Sequence, residues 1–231
     1  MRRKRTNHEI EIKLRVVQPQ SLRLLFRSLG ARKTVPRTYE RNTLYDTPTR
    51  TLTRRAKLIR VRIERPALGR NNGSGSSETA ILTYKGPPIS HRAADTVSDH
   101  PNHRARHKLR YKIREEIEVI VSDGGQMNAI LLASGLRPVF RYEKFRTTYA
   151  LPGIPNVKIE YDETPIGIYL ELEGTAAAID RAAEVLGYTR SDFMTSSYGA
   201  LYLADCRRRG RKPSNMLFQT TKKSRGHAVC P

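Results

Sequence analysis

Cysteine is nearly absent from this chain of 231 residues, which has only Cys206 and Cys230. Their positions have no metal-ligand spacing and supply no disulfide framework. The chain also lacks any apolar run approaching the roughly 18 residues of a membrane span. No apolar signal core follows its basic N-terminus. We therefore expect a cytoplasmic, reducing location and no membrane partner. Acidic residues are few, 22 against 43 Lys and Arg, for a formal net charge of +21. Four of the surplus charges are Arg2, Arg3, Lys4 and Arg5, and eight more lie in residues 206–231, which hold no acid. Such basic ends suit weak, nonspecific contact with polyanions. The nine that remain in the body suit a site for a polyanionic substrate.

What the chain has instead is charged alternation. In Glu9-Ile10-Glu11-Ile12-Lys13 the charges fall at every second position, which on a strand puts them on one face with isoleucine on the other. The device recurs in Lys112-Ile113-Arg114-Glu115-Glu116-Ile117-Glu118, in Lys144-Phe145-Arg146 and in Glu171-Leu172-Glu173. Periodicity and turn residues predict strands over 7–17, 37–46, 58–64, 79–85, 109–121, 139–150, 157–162 and 168–173. Helices are expected over 19–29, 126–134, 175–186 and 191–208, the first three stopped by Gly30, Gly135 and Gly187. Residues 49–57 read as a turn or short helix.

The division expected is a basic end at 1–6, one domain over 7–205 and a basic, disordered tail at 206–231. Residues 66–78, rich in Gly and Ser, read as a flexible loop. The polar insertion 89–107 carries His91, His100, His103 and His107 without a metal-ligand pattern, and reads as a disordered hairpin connection. A faint internal repeat links the segment around Tyr39-Glu40-Arg41 with that around Tyr142-Glu143-Lys144, each after a helix and its glycine stop. The fold class is α+β. About eight antiparallel strands close into a barrel just wide enough for side chains or one small ligand, and the helices would pack on its apolar outside.

Read at period two, the strands give an inward set of eight acids and eight bases. The acids are Glu9, Glu11, Glu116, Glu118, Glu160, Asp162, Glu171 and Glu173. The bases are Lys13, Arg60, Arg62, Lys85, Lys112, Arg114, Lys144 and Arg146. The bland reading is a solvent-facing sheet laced with cross-strand ion pairs. Against it, the alternate positions are Ile, Val, Leu and Phe, and like charges cluster within strands. Paired glutamates offer hard oxygen ligands for Mg²⁺ or Mn²⁺, which complete their shell with phosphate oxygens. Arg and Lys would hold the rest of a phosphate chain.

These motifs resemble the CYTH superfamily, the triphosphate tunnel metalloenzymes. The resemblance runs over about residues 7–205, through Glu9-x-Glu11-x-Lys13, Leu58-Ile59-Arg60-Val61-Arg62, Thr83-Tyr84-Lys85-Gly86, Lys112-x-Arg114-x-Glu116-x-Glu118, Lys144-x-Arg146, Asp162 and Glu171-x-Glu173. It implies an eight-stranded antiparallel tunnel, a substrate containing a triphosphate chain, and one or two divalent cations. Metal would fall to Glu9, Glu11, Glu116, Glu118, Asp162, Glu171 and Glu173. Phosphate would fall to Lys13, Arg60, Arg62, Lys85, Lys112, Arg114, Lys144 and Arg146, with Lys13 or Lys112 acting on the attacking water if burial depresses its pKa. Three functions stay open. They are a metal-dependent hydrolase of inorganic, nucleoside or thiamine triphosphate, a class IV adenylate cyclase, and a noncatalytic polyphosphate- or nucleotide-binding module. Nothing in the pattern selects an oligomeric state.

Overall fold

A computed structural model describes residues 8–67, 78–89 and 110–219. The basic N-terminal end, most of the 66–78 loop, nearly all of the histidine-bearing insertion and residues 220–231 lie outside the described residues.

The charged alternation does build strands. β1 (His8–Val16) is followed by α1 (Pro19–Ser28), β2 (Arg32–Asp46), α2 (Thr51–Arg54), β3 (Leu58–Pro66) and β4 (Thr79–Lys85). The second half runs β5 (Lys112–Val121), α3 (Gly124–Ala133), β6 (Arg137–Ala150), β7 (Val157–Thr164), β8 (Gly167–Gly174), α4 (Ala176–Val185) and α5 (Tyr198–Arg208). All eight strands pair antiparallel in a closed barrel of order β1-β5-β4-β3-β2-β6-β7-β8. Exchanging β1 with β5, β2 with β6, β3 with β7 and β4 with β8 leaves that order unchanged. The internal repeat is thus two β-α-β-β-β halves around a pseudo-twofold.

The apolar faces of β1, β7 and β8 point outward under α1 and α4, whereas Ile117 and Val119 of β5 stay about half exposed. Ile12, Leu14, Ile159, Leu170 and Leu172 are fully buried, packed with Leu22 and Phe26 of α1 and Ile179, Ala182 and Ala183 of α4. Caps fix the helix starts: Asp123 accepts from the backbone of Gly125 and Gln126, Thr175 from Ala178, and Ser197 from Ala200.

Two sequence expectations need correction. The single helix over 191–208 is a 3₁₀ turn (Arg190–Asp192), an extended link, and α5. The link is extended because the backbone of Met194 pairs both ways with that of Lys13 on β1, at 2.8 and 2.9 Å. The domain does not end at 205 either. α5 continues to Arg208, and the chain then returns along β6, where Tyr142 bridges to Met216. Met216 is buried beside Tyr142 and Tyr198, and the ring of Phe218 lies 5.2 Å from that of Phe145. β7 pairs with β6 only from Phe145 onward, so the lower stretch of β6 has free backbone groups for this return.

Candidate functional site

The opposite faces of the strands meet inside the barrel around a cavity of about 130 Å³. Its walls are Glu9, Glu11, Arg60, Arg62, Lys85, Glu116, Glu118, Lys144, Arg146, Lys158, Glu160, Glu171 and Glu173, and the remaining lining residues are Tyr142 and Tyr198. The charges do converge, and the solvent-facing reading fails. Lys13, Lys112, Arg114 and Asp162 stand behind this lining, buried or half-buried.

The cations divide between two walls. On one, Lys85 Nζ lies 2.6 Å from Glu9 and 3.1 Å from Glu116. Arg60 donates to Glu118 and Thr83, both at 3.1 Å, and to the Tyr142 hydroxyl at 3.3 Å. Arg62 donates to Glu64 at 2.9 Å and Glu118 at 3.2 Å. The Nε–H groups of Arg60 and Arg62 are buried with no acceptor. On the other wall Arg146 grips Asp162 with two bonds of 2.6 and 2.7 Å and also touches Glu160 and Glu171. Lys144 lies 3.0 Å from Asp162, and Lys13 lies 2.5 Å from Glu171. Tyr198, from the first turn of α5, donates to Asp162 at 2.5 Å, and its ring faces both Lys13 and Lys144. Lys112 contacts Glu11, while Arg114 turns to the carbonyl of Ala56 at 2.7 Å.

These surroundings fix the protonation states. Burial raises the Glu11 carboxyl, but Lys13 and Lys112 outweigh it and hold the pKa at about 2. Burial likewise opposes ionisation of Glu171, yet Lys13, Arg146 and Lys144 bring it well below the usual carboxylate range. Lys13 is raised, because Glu11 and Glu171 overcome its burial, so it stays an ammonium. Lys112 is lowered, burial outweighing Glu11. Glu116 is pushed up to about 8, first by burial and then by a hydrogen bond with the Glu9 carboxyl. Glu160 rises to about 7, since burial and the nearby Glu171 and Asp162 outweigh Arg146.

The structure adds residues that the alternation did not reveal. Glu40 on β2 is buried within 4 Å of Arg62, Lys144 and Arg146. Its strand neighbours are Tyr39 and Arg41, so no aliphatic alternate marked the strand's inner face. Its register partner Lys144 was the usable signal. Thr83 and Tyr142 look like ordinary strand residues. Tyr198 arrives on a helix, where strand periodicity is blind. With Glu40 and Lys158 included, the inward set is nine acids against nine bases. The nine-charge surplus of the body therefore lies outside this inward set.

That count bears on the metal. Among the described residues no three Asp, Glu, His or Cys side chains converge. Asp162 and Glu171 are saturated by Lys13, Lys144, Arg146 and Tyr198. Glu9 and Glu116 differ, because the two carboxyls lie against each other, with Lys85 beside both and Arg60 3.9 Å from Glu116. This hard-oxygen pair fits Mg²⁺ or Mn²⁺, and an interior without cationic surplus has room for that charge when a polyanion enters.

No curated protein matches the chain. Among solved structures it is similar to a protein of Pyrococcus horikoshii, with a TM-score of 0.62 and 23% identity over 85% of this chain and 99% of that one. A candidate adenylate cyclase from Vibrio parahaemolyticus gives 0.61 and 17%, over 83% and 95%. A Hippeastrum protein, described as a candidate adenylyl cyclase with a dominant triphosphatase activity, gives 0.50 and 14%, over 89% and 97%. At these identities the likeness concerns the fold. The family profile of the CYTH domain matches residues 7–197. With the closed barrel and its charged core already in place, this match settles the family: the chain belongs to the CYTH domain family.

Proposed function

We propose that the protein is a divalent-metal-dependent hydrolase of a triphosphate-containing substrate. The observation that carries this reading is one cavity inside the barrel walled by Arg60, Arg62, Lys85, Lys144 and Arg146, facing carboxylates across it. The two unpartnered Nε–H groups suit phosphate oxygens, and Arg presents the planar fork that phosphate takes. Apart from Tyr142 and Tyr198 the lining is entirely charged. It suits a phosphate chain and has no apolar slot for a purine, which favours hydrolysis over cyclisation.

Glu9 and Glu116 would hold Mg²⁺ or Mn²⁺, with Glu11 and Glu118 on the same strand faces. The metal would neutralise phosphate oxygens and polarise the phosphorus under attack. Lys85, Arg60 and Arg62 orient the chain at that wall, and Lys144 and Arg146 bind it at the other. Burial lowers the Lys112 pKa, but the side chain stands behind the lining against Glu11, so it would act on the attacking water through that carboxylate. Lys13 and Arg114 act as fixed charges. Glu173, paired with Lys158 at 2.9 Å, stands at the more exposed rim.

Release of orthophosphate from tripolyphosphate, ATP and thiamine triphosphate, with Mg²⁺ or Mn²⁺ and with EDTA, tests the reading. We expect metal-dependent release from at least one. Cyclic AMP and pyrophosphate from ATP, without orthophosphate, would replace hydrolysis by the cyclase reading. Binding without turnover of any of the three would reduce the protein to a binding module.

A further inference from the structure

The second wall holds two carboxylates of different character. Asp162 is an anchor, fully buried, taking Arg146 through two short bonds, Lys144 at 3.0 Å and the Tyr198 hydroxyl at 2.5 Å. Glu40 is as deeply buried but loosely held. It stands 3.4 Å from Lys144 Nζ, 3.6 Å from Arg146 Nε and 3.8 Å from Arg62 Nη1. Its hydrogen-bond donor is the Asn42 side-chain amide at 3.5 Å, and the Asn42 oxygen has no partner. Glu40 does not line the cavity, whereas the three cations beside it do. It therefore faces them from behind, while a bound phosphate would face them from the front.

We propose that Glu40 is a built-in competitor for substrate phosphate, setting how tightly Arg62, Lys144 and Arg146 hold an anion and how fast they let it go. The inference rests on the cavity being the triphosphate site. Asp162 keeps Arg146 and Lys144 in place, so the Glu40 charge is not needed to position them. What it does is spend part of their field. A carboxylate that close to the cations is about 6 Å from an anion across them, near enough for a Coulomb effect of ten- to hundredfold on affinity at the usual effective dielectric. Glu40 is a positioning residue, acting on substrate only through the three cations. Its use would be turnover, because an uncompensated clamp retains the pyrophosphate or phosphate product.

The test is titration calorimetry in EDTA with inorganic tripolyphosphate, and separately with pyrophosphate, on the full chain. Glu40→Gln should bind both about ten- to hundredfold more tightly than wild type. Glu40→Asp, whose carboxylate withdraws by about 1.5 Å, should show a smaller gain of the same sign, and is the variant to read if Glu40→Gln does not fold. In turnover, KM and kcat should fall together in both. A merely structural residue would move KM upward. Weaker or unchanged affinity in a folded variant overturns the inference. Wild type that binds no tripolyphosphate, with or without metal, instead sinks the functional reading beneath it.

Discussion

Replacing Arg146 by methionine probes the charged core most directly. Methionine keeps much of the side-chain volume, so the change removes charge and hydrogen bonds without a large cavity. Arg146 touches Asp162, Glu160 and Glu171 and stands 3.6 Å from Glu40. Without it, four buried carboxyls share Lys144 and Lys13. Removing one partner of a buried pair costs about 3–5 kcal/mol, against total stabilities of about 5–15 kcal/mol. We expect a loss of about 4 kcal/mol at pH 8, read from urea unfolding with an unchanged m-value. The loss should shrink by roughly half at pH 5, because the deprived carboxyls can then take up protons. A folded variant within about 1 kcal/mol of wild type, or a loss equal at both pH values, would show that these carboxylates are not held ionised by Arg146.

Other expectations follow from the same geometry. Glu116 and Glu160, at about 8 and 7, lie above the unfolded carboxyl value of about 4.3. Their contribution is complete below that value and is lost as pH rises through 7 and 8. Calorimetric Tm in EDTA should fall from about pH 5 to 8, and Mn²⁺ should reduce the fall; a Tm rising over that range contradicts it. Glu116→Gln should weaken Mn²⁺ binding about tenfold or more by titration, and unchanged affinity would remove this carboxylate from the metal site. Arg60→Ala should raise KM about tenfold with a smaller change in kcat; the reverse split would make Arg60 a transition-state group. Asp46 accepts from the Thr47, Leu52 and Thr53 backbone and the Thr53 hydroxyl, which overcome burial and hold its pKa at about 2. Asp46→Asn should cost about 2 kcal/mol and remove an acid-unfolding step between about pH 4 and 2, as measured by circular dichroism; an unaltered acid limb speaks against it.

The barrel was legible because its strands invert the soluble pattern. A charged period-two face opposite Ile, Leu and Val can only turn inward when helices with their own apolar stripes wait outside, and α1 and α4 supply those stripes. The site was legible to the same extent, residue by residue, wherever a charge had an apolar alternate. It was lost where the signal was not local. Glu40 sits between Tyr39 and Arg41, with no aliphatic alternate, and only its pairing with Lys144 across two strands shows which way it faces. Tyr198 and the return through Met216 depend on α5 being pulled over the barrel end by the Met194–Lys13 bridge. The extended link at Met194 was invisible because its cause is a backbone bond to a strand 181 residues earlier.

The charge count also explains why the protein combines a basic chain with an interior that is not basic. A barrel lined only by cations would bind a polyanion well but would repel itself when empty, since buried like charges have no water to screen them. Nine acids against nine bases let the empty barrel close. The balance must then be tipped when several phosphate charges arrive, and two adjustments are at hand. Glu116, whose pKa is raised, can release its proton when its pair with Glu9 takes a divalent cation, and Glu160 can take up a proton near neutral pH. The surplus outside the inward set has a separate role, since long-range attraction of a polyanion depends on net charge and is weakened by salt. Added salt should therefore slow substrate capture more than it weakens affinity once substrate is bound. Stopped-flow binding across an ionic-strength series separates the two, and a salt dependence confined to dissociation would place the attracting charge inside the barrel after all.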